Sequence, residues 1–185
     1  MRKEKKMTTK QMVFAAMAIA LATVIATVIK LPPLPNGGSV TLFSMLLVTL
    51  VGYWYGPAIG ITAAVGFGIL QFITGPYVVH PIQVVIDYPL AFGALGCSGF
   101  FANKKNGLLK GYVAGVLGRF FFASLSGVIF YTVYVESLSE NIVAIWASLV
   151  YNMTYILPEA LITIILISIP AVKNALAKIK ELALS

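Results

Sequence analysis

Charge is scarce in this chain, and so are the side chains that most catalytic and metal sites require. Of 185 residues only 10% are charged, with six acids against 13 basic residues, one His and one Cys, while 59% are hydrophobic. That balance excludes an ordinary soluble domain. The lone cysteine, Cys97, rules out an internal disulfide and a multi-cysteine metal site, and reads as a small packing residue. With His80 as the only histidine and no HExxH or GxSxG sequence, neither a metal site nor a catalytic triad can be assembled from the usual parts. There is no GxxxxGK[ST] loop, so the chain carries no recognisable nucleotide motor of its own. No enzyme, metal or cofactor is expected.

What is present is apolar length. A membrane span needs roughly 20 apolar residues, so a chain of this size holds about six. The expected spans are Met12 to Ile29, Thr41 to Tyr53, Ala58 to Ile73, Pro81 to Ala102, Leu108 to Tyr134 and Ile142 to Ile169. The breaks are chemical: three prolines and two glycines in Leu31 to Val40, Gly56-Pro57, Gly75-Pro76, the polar turn Asn103 to Gly107, and Pro170. The organisation expected is a basic N-terminus over 1–11, an all-α six-helix membrane domain over 12–170 and a basic tail over 171–185. The first run is too long for a signal-peptide core, so it reads as a retained helix.

Charge orients the bundle. Alternating spans put Arg2, Lys3, Lys5, Lys6, Lys10, Lys104, Lys105, Lys110, Lys173, Lys178 and Lys180 on one side, 11 of the 13 basic residues. By the positive-inside rule that side, with both termini, is cytoplasmic in a prokaryotic cell membrane. The excess of +7 therefore reports topology and attraction to anionic lipid, not nucleic acid.

The unusual residues gather on the outer half. In the fourth span His80, Gln83 or Val84, and Asp87 share a face, Tyr88 adjoins them, and Pro89 frees the Val85 carbonyl, which predicts a kink beside the acid. A carboxylate inside a span is costly unless it is used. The sixth span carries Ser148, Asn152, Tyr155 and Glu159 on one stripe, with Trp146 and Tyr151 nearby. The fifth adds Arg119, Ser126, Gly127 and an aromatic outer end, including Phe130 and Tyr131. Arg119 and Glu159 lie roughly 25 Å below their outer helix ends by the helical rise, a depth at which a structural ion pair is expected. The set suits a small polar or cationic heteroaromatic, through a carboxylate, amides, hydroxyls and aromatic faces. His80 reads equally as a loop cap. Ser148 and Asn152 read equally as inter-helix hydrogen bonders.

These stretches resemble a known family. LPNGGSVTL, HPIQVVIDYPLAFGALGCSGFFA, the Arg119 to Tyr131 stretch with SGVIFY, and YNMTYILPEALI are similar, in order and spacing, to the thiamine-specific substrate-binding (S) components of energy-coupling factor vitamin transporters. The resemblance implies six membrane helices that bind thiamine from outside. It also implies docking on a transmembrane coupling protein and two ATPases, which alone use ATP, and a toppling motion for release. By resemblance Asp87 matches the acid that holds the vitamin, Asn152 the amide on its aminopyrimidine, and Tyr131 a stacking aromatic. The loop with Asn36, Gly37, Gly38 and Ser39 looks like an outer gate. Ala16 and Ala20, or Ala18 and Ala22, resemble the alanine ridge that meets the coupling subunit, although such a ridge also suits packing within the bundle. This chain departs from the family at Ala123, where many members have a ligand-contacting His, and at Ala147, where some have Tyr. Three readings stand beside the main one. They are an S component for a related pyrimidine, thiazole, thiamine precursor or other vitamin, a stand-alone secondary transporter, and a structural or assembly membrane protein that binds no small ligand.

Overall fold

The computed structural model describes residues 7–32, 34, 38–130 and 141–185. Helices account for almost all of them: α1 (Thr9–Val28), α2 (Ser44–Tyr55), α3 (Pro57–Thr74), the broken helix α4 (Pro81–Phe101), α5 (Gly107–Phe130), α6 (Asn141–Ser168) and α7 (Pro170–Leu184). Five of the first six are long and apolar enough to span a membrane, and α2 is a shorter apolar helix. This is an all-helical membrane protein. Expected residues Tyr131, Asn36 and Gly37 lie outside the described residues.

Two boundaries differ from the sequence reading, each for a local reason. Phe43 takes a left-handed conformation (φ 65°), so α2 starts at Ser44 rather than Thr41. The preceding residues fold back instead, with Lys30 bridging Thr41 and the Leu31 N–H donating to the Val40 carbonyl at 2.9 Å. The second difference is α4, which is no single helix. Pro89 cannot donate to Val85 and its ring crowds that carbonyl, so the chain widens into a π turn over Ile86–Leu90, closed by the Ala91 N–H reaching back to the Ile86 carbonyl.

Beyond that turn the chain tightens into a 3₁₀ stretch, Ala94–Phe101. Its period of three puts Gly93, Gly96 and Gly99 on one face. There they meet α3 at Val65, at the Gly60–Ile61 backbone and at the Gly56–Pro57 backbone, steps of four residues on the partner helix. A Cβ on Gly96 would collide with the main chain of Ile61.

One end of the bundle collects the lysines. There α7 is tied across three elements: Lys180 Nζ donates to the Ala102 carbonyl at 2.8 Å, Tyr55 Oη donates to the Ala183 carbonyl at 3.2 Å, and Lys10 Nζ donates to Ser185 Oγ at 2.7 Å. Lys180 also lies 3.7 Å from the Tyr53 ring centroid, and burial pulls its pKa below the usual lysine value. The alanine alternatives separate here. Ala18 and Ala22 are buried in the bundle, which removes them as an outward docking ridge, whereas Ala16 and Ala20 are exposed.

The glycine face gives a paired test. Gly96→Val should destabilise the protein by about 2 kcal/mol or more through overpacking. Gly66→Ala, at a glycine with open space around it, should be neutral or stabilise by up to about 1 kcal/mol. Thermal unfolding of the detergent-solubilised chain measures both; equal shifts would refute the close-packed face.

Candidate functional site

The polar residues converge at the end opposite the lysines, around a cavity of about 240 Å³. Its wall draws on the last turns of α1 and α3, the Gly38–Thr41 segment, the first half of α4, the outer half of α5 and the Ser148–Tyr155 stripe of α6. Asp87 sits on the π turn, on the same side as Gln83, and faces the cavity. One carboxylate oxygen accepts a very short hydrogen bond from Gln83 Nε2. Gln83 is itself fixed by the 76–80 segment: its Oε1 accepts from the Val79 N–H at 3.1 Å and its Nε2 donates to the Tyr77 carbonyl at 3.3 Å. Ser126 of α5 interacts with the same carboxylate. Tyr88 Oη accepts from the Tyr77 N–H at 3.0 Å and donates to the Gly75 carbonyl at 3.2 Å, so that hydroxyl braces the loop while the ring lines the cavity.

On α6 the stripe bonds mostly within the protein. Ser148 Oγ donates across to the Ser124 carbonyl of α5 at 2.8 Å, and Asn152 Nδ2 donates to the Ser148 carbonyl at 2.9 Å. Tyr155 Oη donates a very short bond to Asn152 Oδ1. Gly127 permits the close approach of α5, since a Cβ there would strike Ser148 Oγ. Tyr151 Oη accepts from the Gly38 N–H at 2.8 Å and thereby holds the described part of the 31–40 segment against the cavity. Gly38 and Ser39 both line the wall.

His80 does not reach that wall. It is exposed, its Nδ1 accepts from the Ile82 N–H at 3.2 Å at the start of α4, and its ring stacks on Phe130 at 5.4 Å. Capping is what the structure shows for it.

The expected Arg119–Glu159 ion pair is not formed. Glu159, only 2% exposed, accepts from Thr41 Oγ1 at 2.6 Å, Ser44 Oγ at 3.1 Å and the Met45 N–H at 3.0 Å. It caps α2 from another helix, meeting a backbone donor that Phe43 leaves without a side-chain cap. Arg119 instead places its guanidinium carbon over the Phe92 ring, 4.3 Å from the centroid, and lines the cavity. Helical depth alone could not distinguish a capping carboxylate from a paired one.

Other cavity residues escaped the sequence reading as site members: Lys30, Gln71, Tyr77, Phe92 and Tyr155. Tyr155 stood on the polar stripe, and Gln71 is the one amide in an otherwise apolar third span, so those two had a signal. Gln71 Nε2 is buried without a hydrogen-bond partner among the described residues. The wall thus offers a half-engaged carboxylate, an unanswered amide donor, a guanidinium and several aromatic faces. Among the described residues no group of three or more His, Cys, Asp or Glu side chains could hold a metal.

Fold and cavity together define a small helical membrane protein with a polar, aromatic-walled chamber enclosed by its spans. The comparisons narrow this class. A family model described as thiamine transporter protein (Thia_YuaJ) matches residues 12–179. The chain is 31% identical over 149 residues to the thiamine transporter ThiT of Bacillus subtilis strain 168, covering 72% of this chain and 75% of that protein. A solved structure of ThiT from Listeria monocytogenes superposes with a TM-score of 0.61 over 88% of this chain and 96% of that one, at 24% identity, a likeness of fold. The chain belongs to the thiamine transporter family, a family of transporters and not of enzymes.

The Glu159 cap makes a sharp prediction. Glu159→Leu removes the shared acceptor of three buried donors, of which the Thr41 and Ser44 hydroxyls can still bond each other, and should cost roughly 2–4 kcal/mol, whereas Arg119→Ala, breaking no ion pair, should cost far less. Chemical or thermal unfolding of both variants decides it; equal, large losses would restore the ion pair.

Proposed function

We propose that this chain is the substrate-binding component of an energy-coupling-factor importer that takes up thiamine from outside the cell. A transmembrane coupling protein and two ATPases supply the energy. The observation that carries the reading is Asp87: a carboxylate inside a span, on the π turn and at the cavity wall, with one oxygen held by Gln83. Charge left on that wall stabilises a cationic ligand or its amino donors. The aromatic faces of Tyr88, Tyr151 and Tyr155 suit flat heterocycles. Asn152 completes the α6 side of the site, and Gly38 with Ser39 belongs to the gate.

The lysine-rich end faces the cytoplasm in this reading, by the positive-inside rule. The exposed Ala16 and Ala20 form the ridge on which the coupling protein docks. The substrate reading has one specific rival. Ala123 lines the cavity without any hydrogen-bonding group, which favours a related pyrimidine, thiazole or other vitamin if thiamine fails.

Intrinsic fluorescence of the detergent-purified chain, titrated with thiamine, tests the site. Saturable quenching at sub-micromolar vitamin should weaken roughly 10- to 100-fold in Asp87→Asn, the loss of a charge-assisted hydrogen bond, and should also weaken in Asn152→Ala. No response to thiamine, followed by saturation with another vitamin, would move the substrate and leave the transporter class in place. Docking is tested separately by uptake: Ala16→Leu with Ala20→Leu should abolish transport and spare binding. Transport in vesicles without any ATPase would overturn the coupling proposal.

A further inference from the structure

A second cavity, of about 340 Å³, lies at the lysine-rich end, far from the Asp87 chamber. Its walls have two chemistries. Leu108 and Leu109 from the start of α5, Ile167 from the end of α6 and Leu176 from α7 make an apolar side. Lys104, Lys173 and Asn106 make a polar one. Lys173 Nζ donates to Asn106 Oδ1 at 3.4 Å, and Lys104 Nζ stands 5.1 Å from the Phe101 ring centroid. Among the described residues neither ammonium has a carboxylate partner, and Glu181 is the only acidic side chain at this end. Among those residues, two cations therefore share a half-apolar pocket without a counter-charge.

The placement of α7 says what stands beside that pocket. Hydrogen bonds from Lys180 and Tyr55 hold the helix across the bundle end, yet Ile179, Leu182 and Leu184 remain exposed. A basic helix with apolar side chains left uncovered lies in the headgroup region with those side chains in the acyl boundary. The pocket then sits at the same level, where a lipid phosphate reaches the lysines and its glycerol and upper acyl carbons reach the leucines.

We propose that this cavity is a binding site for the phosphate headgroup of an anionic glycerophospholipid. The lysines and the Asn106 amide take the phosphate oxygens. The apolar wall takes the chain attached to it and so favours a lipid over free phosphate. Bound lipid also bridges α7 to the 102–106 turn, which the protein itself joins through the Lys180 and Lys173 contacts.

The test uses the full chain in detergent micelles containing either phosphatidylglycerol or phosphatidylcholine, with native mass spectrometry of retained lipid and thermal unfolding as readouts. The wild type should retain phosphatidylglycerol preferentially and be stabilised by it. Lys104→Gln with Lys173→Gln should lower that retention by roughly tenfold or more, the loss of two charge-assisted hydrogen bonds to the phosphate. Lys105→Gln with Lys178→Gln removes the same charge outside the cavity and should leave most retention in place. Lys104→Arg with Lys173→Arg should keep it, and vitamin binding by every variant reports correct folding. The proposal is overturned if the two Gln pairs lose retention equally, if phosphatidylcholine is retained as well as phosphatidylglycerol, or if glycerol phosphate stabilises the protein as much as the lipid does.

Discussion

The bilayer core offers no water to answer a polar group, so every buried donor and acceptor in this protein must be met by protein or by a guest. The two intramembrane carboxylates meet that constraint differently. Glu159 spends three bonds on donors at the head of α2 and is absent from the cavity wall. Asp87 is held by Gln83 and faced by Ser126, and it still fronts a cavity. A carboxylate whose bonds all run to a helix start fixes architecture; one that keeps acceptor capacity toward a chamber is available for recognition.

The rest of the structure follows from holding these two acids. The π turn forced by Pro89 holds Asp87, and the 3₁₀ stretch after it carries a glycine face that lets α4 lie directly on α3. Glu159 and Tyr151, both on α6, hold the returning segment at Thr41 and Gly38. The helix that carries the polar stripe therefore also grips the segment that lines the cavity from the other side.

Much of this was legible in the sequence. Span positions, the kink beside Asp87 and the polar stripe on α6 follow from hydrophobic length, proline chemistry and helical spacing, because those signals are local. Gln83 and Asp87 did share a face, four residues apart. What escaped depended on contacts between distant segments. Glu159 looked like a partner for Arg119 because depth was the only coordinate available, while its real donors come from the start of α2 and the residue Thr41 before it, more than 100 residues away in sequence. Lys30 and Tyr77 sat in segments read as loops, and only folding places them on the cavity wall. The alanines of α1 carried a symmetric signal, and burial alone separated Ala18 and Ala22 from Ala16 and Ala20.

The central claim is that acceptor capacity left on Asp87 belongs to the vitamin. A crystal structure of the chain grown with thiamine tests it most directly. The account predicts the aminopyrimidine within hydrogen-bonding distance of the Asp87 carboxylate, among Tyr88, Tyr151 and Tyr155, with the Glu159 bonds to Thr41, Ser44 and Met45 unchanged. Thiamine bound elsewhere, or an Asp87 carboxylate with no ligand contact in an occupied cavity, would contradict it.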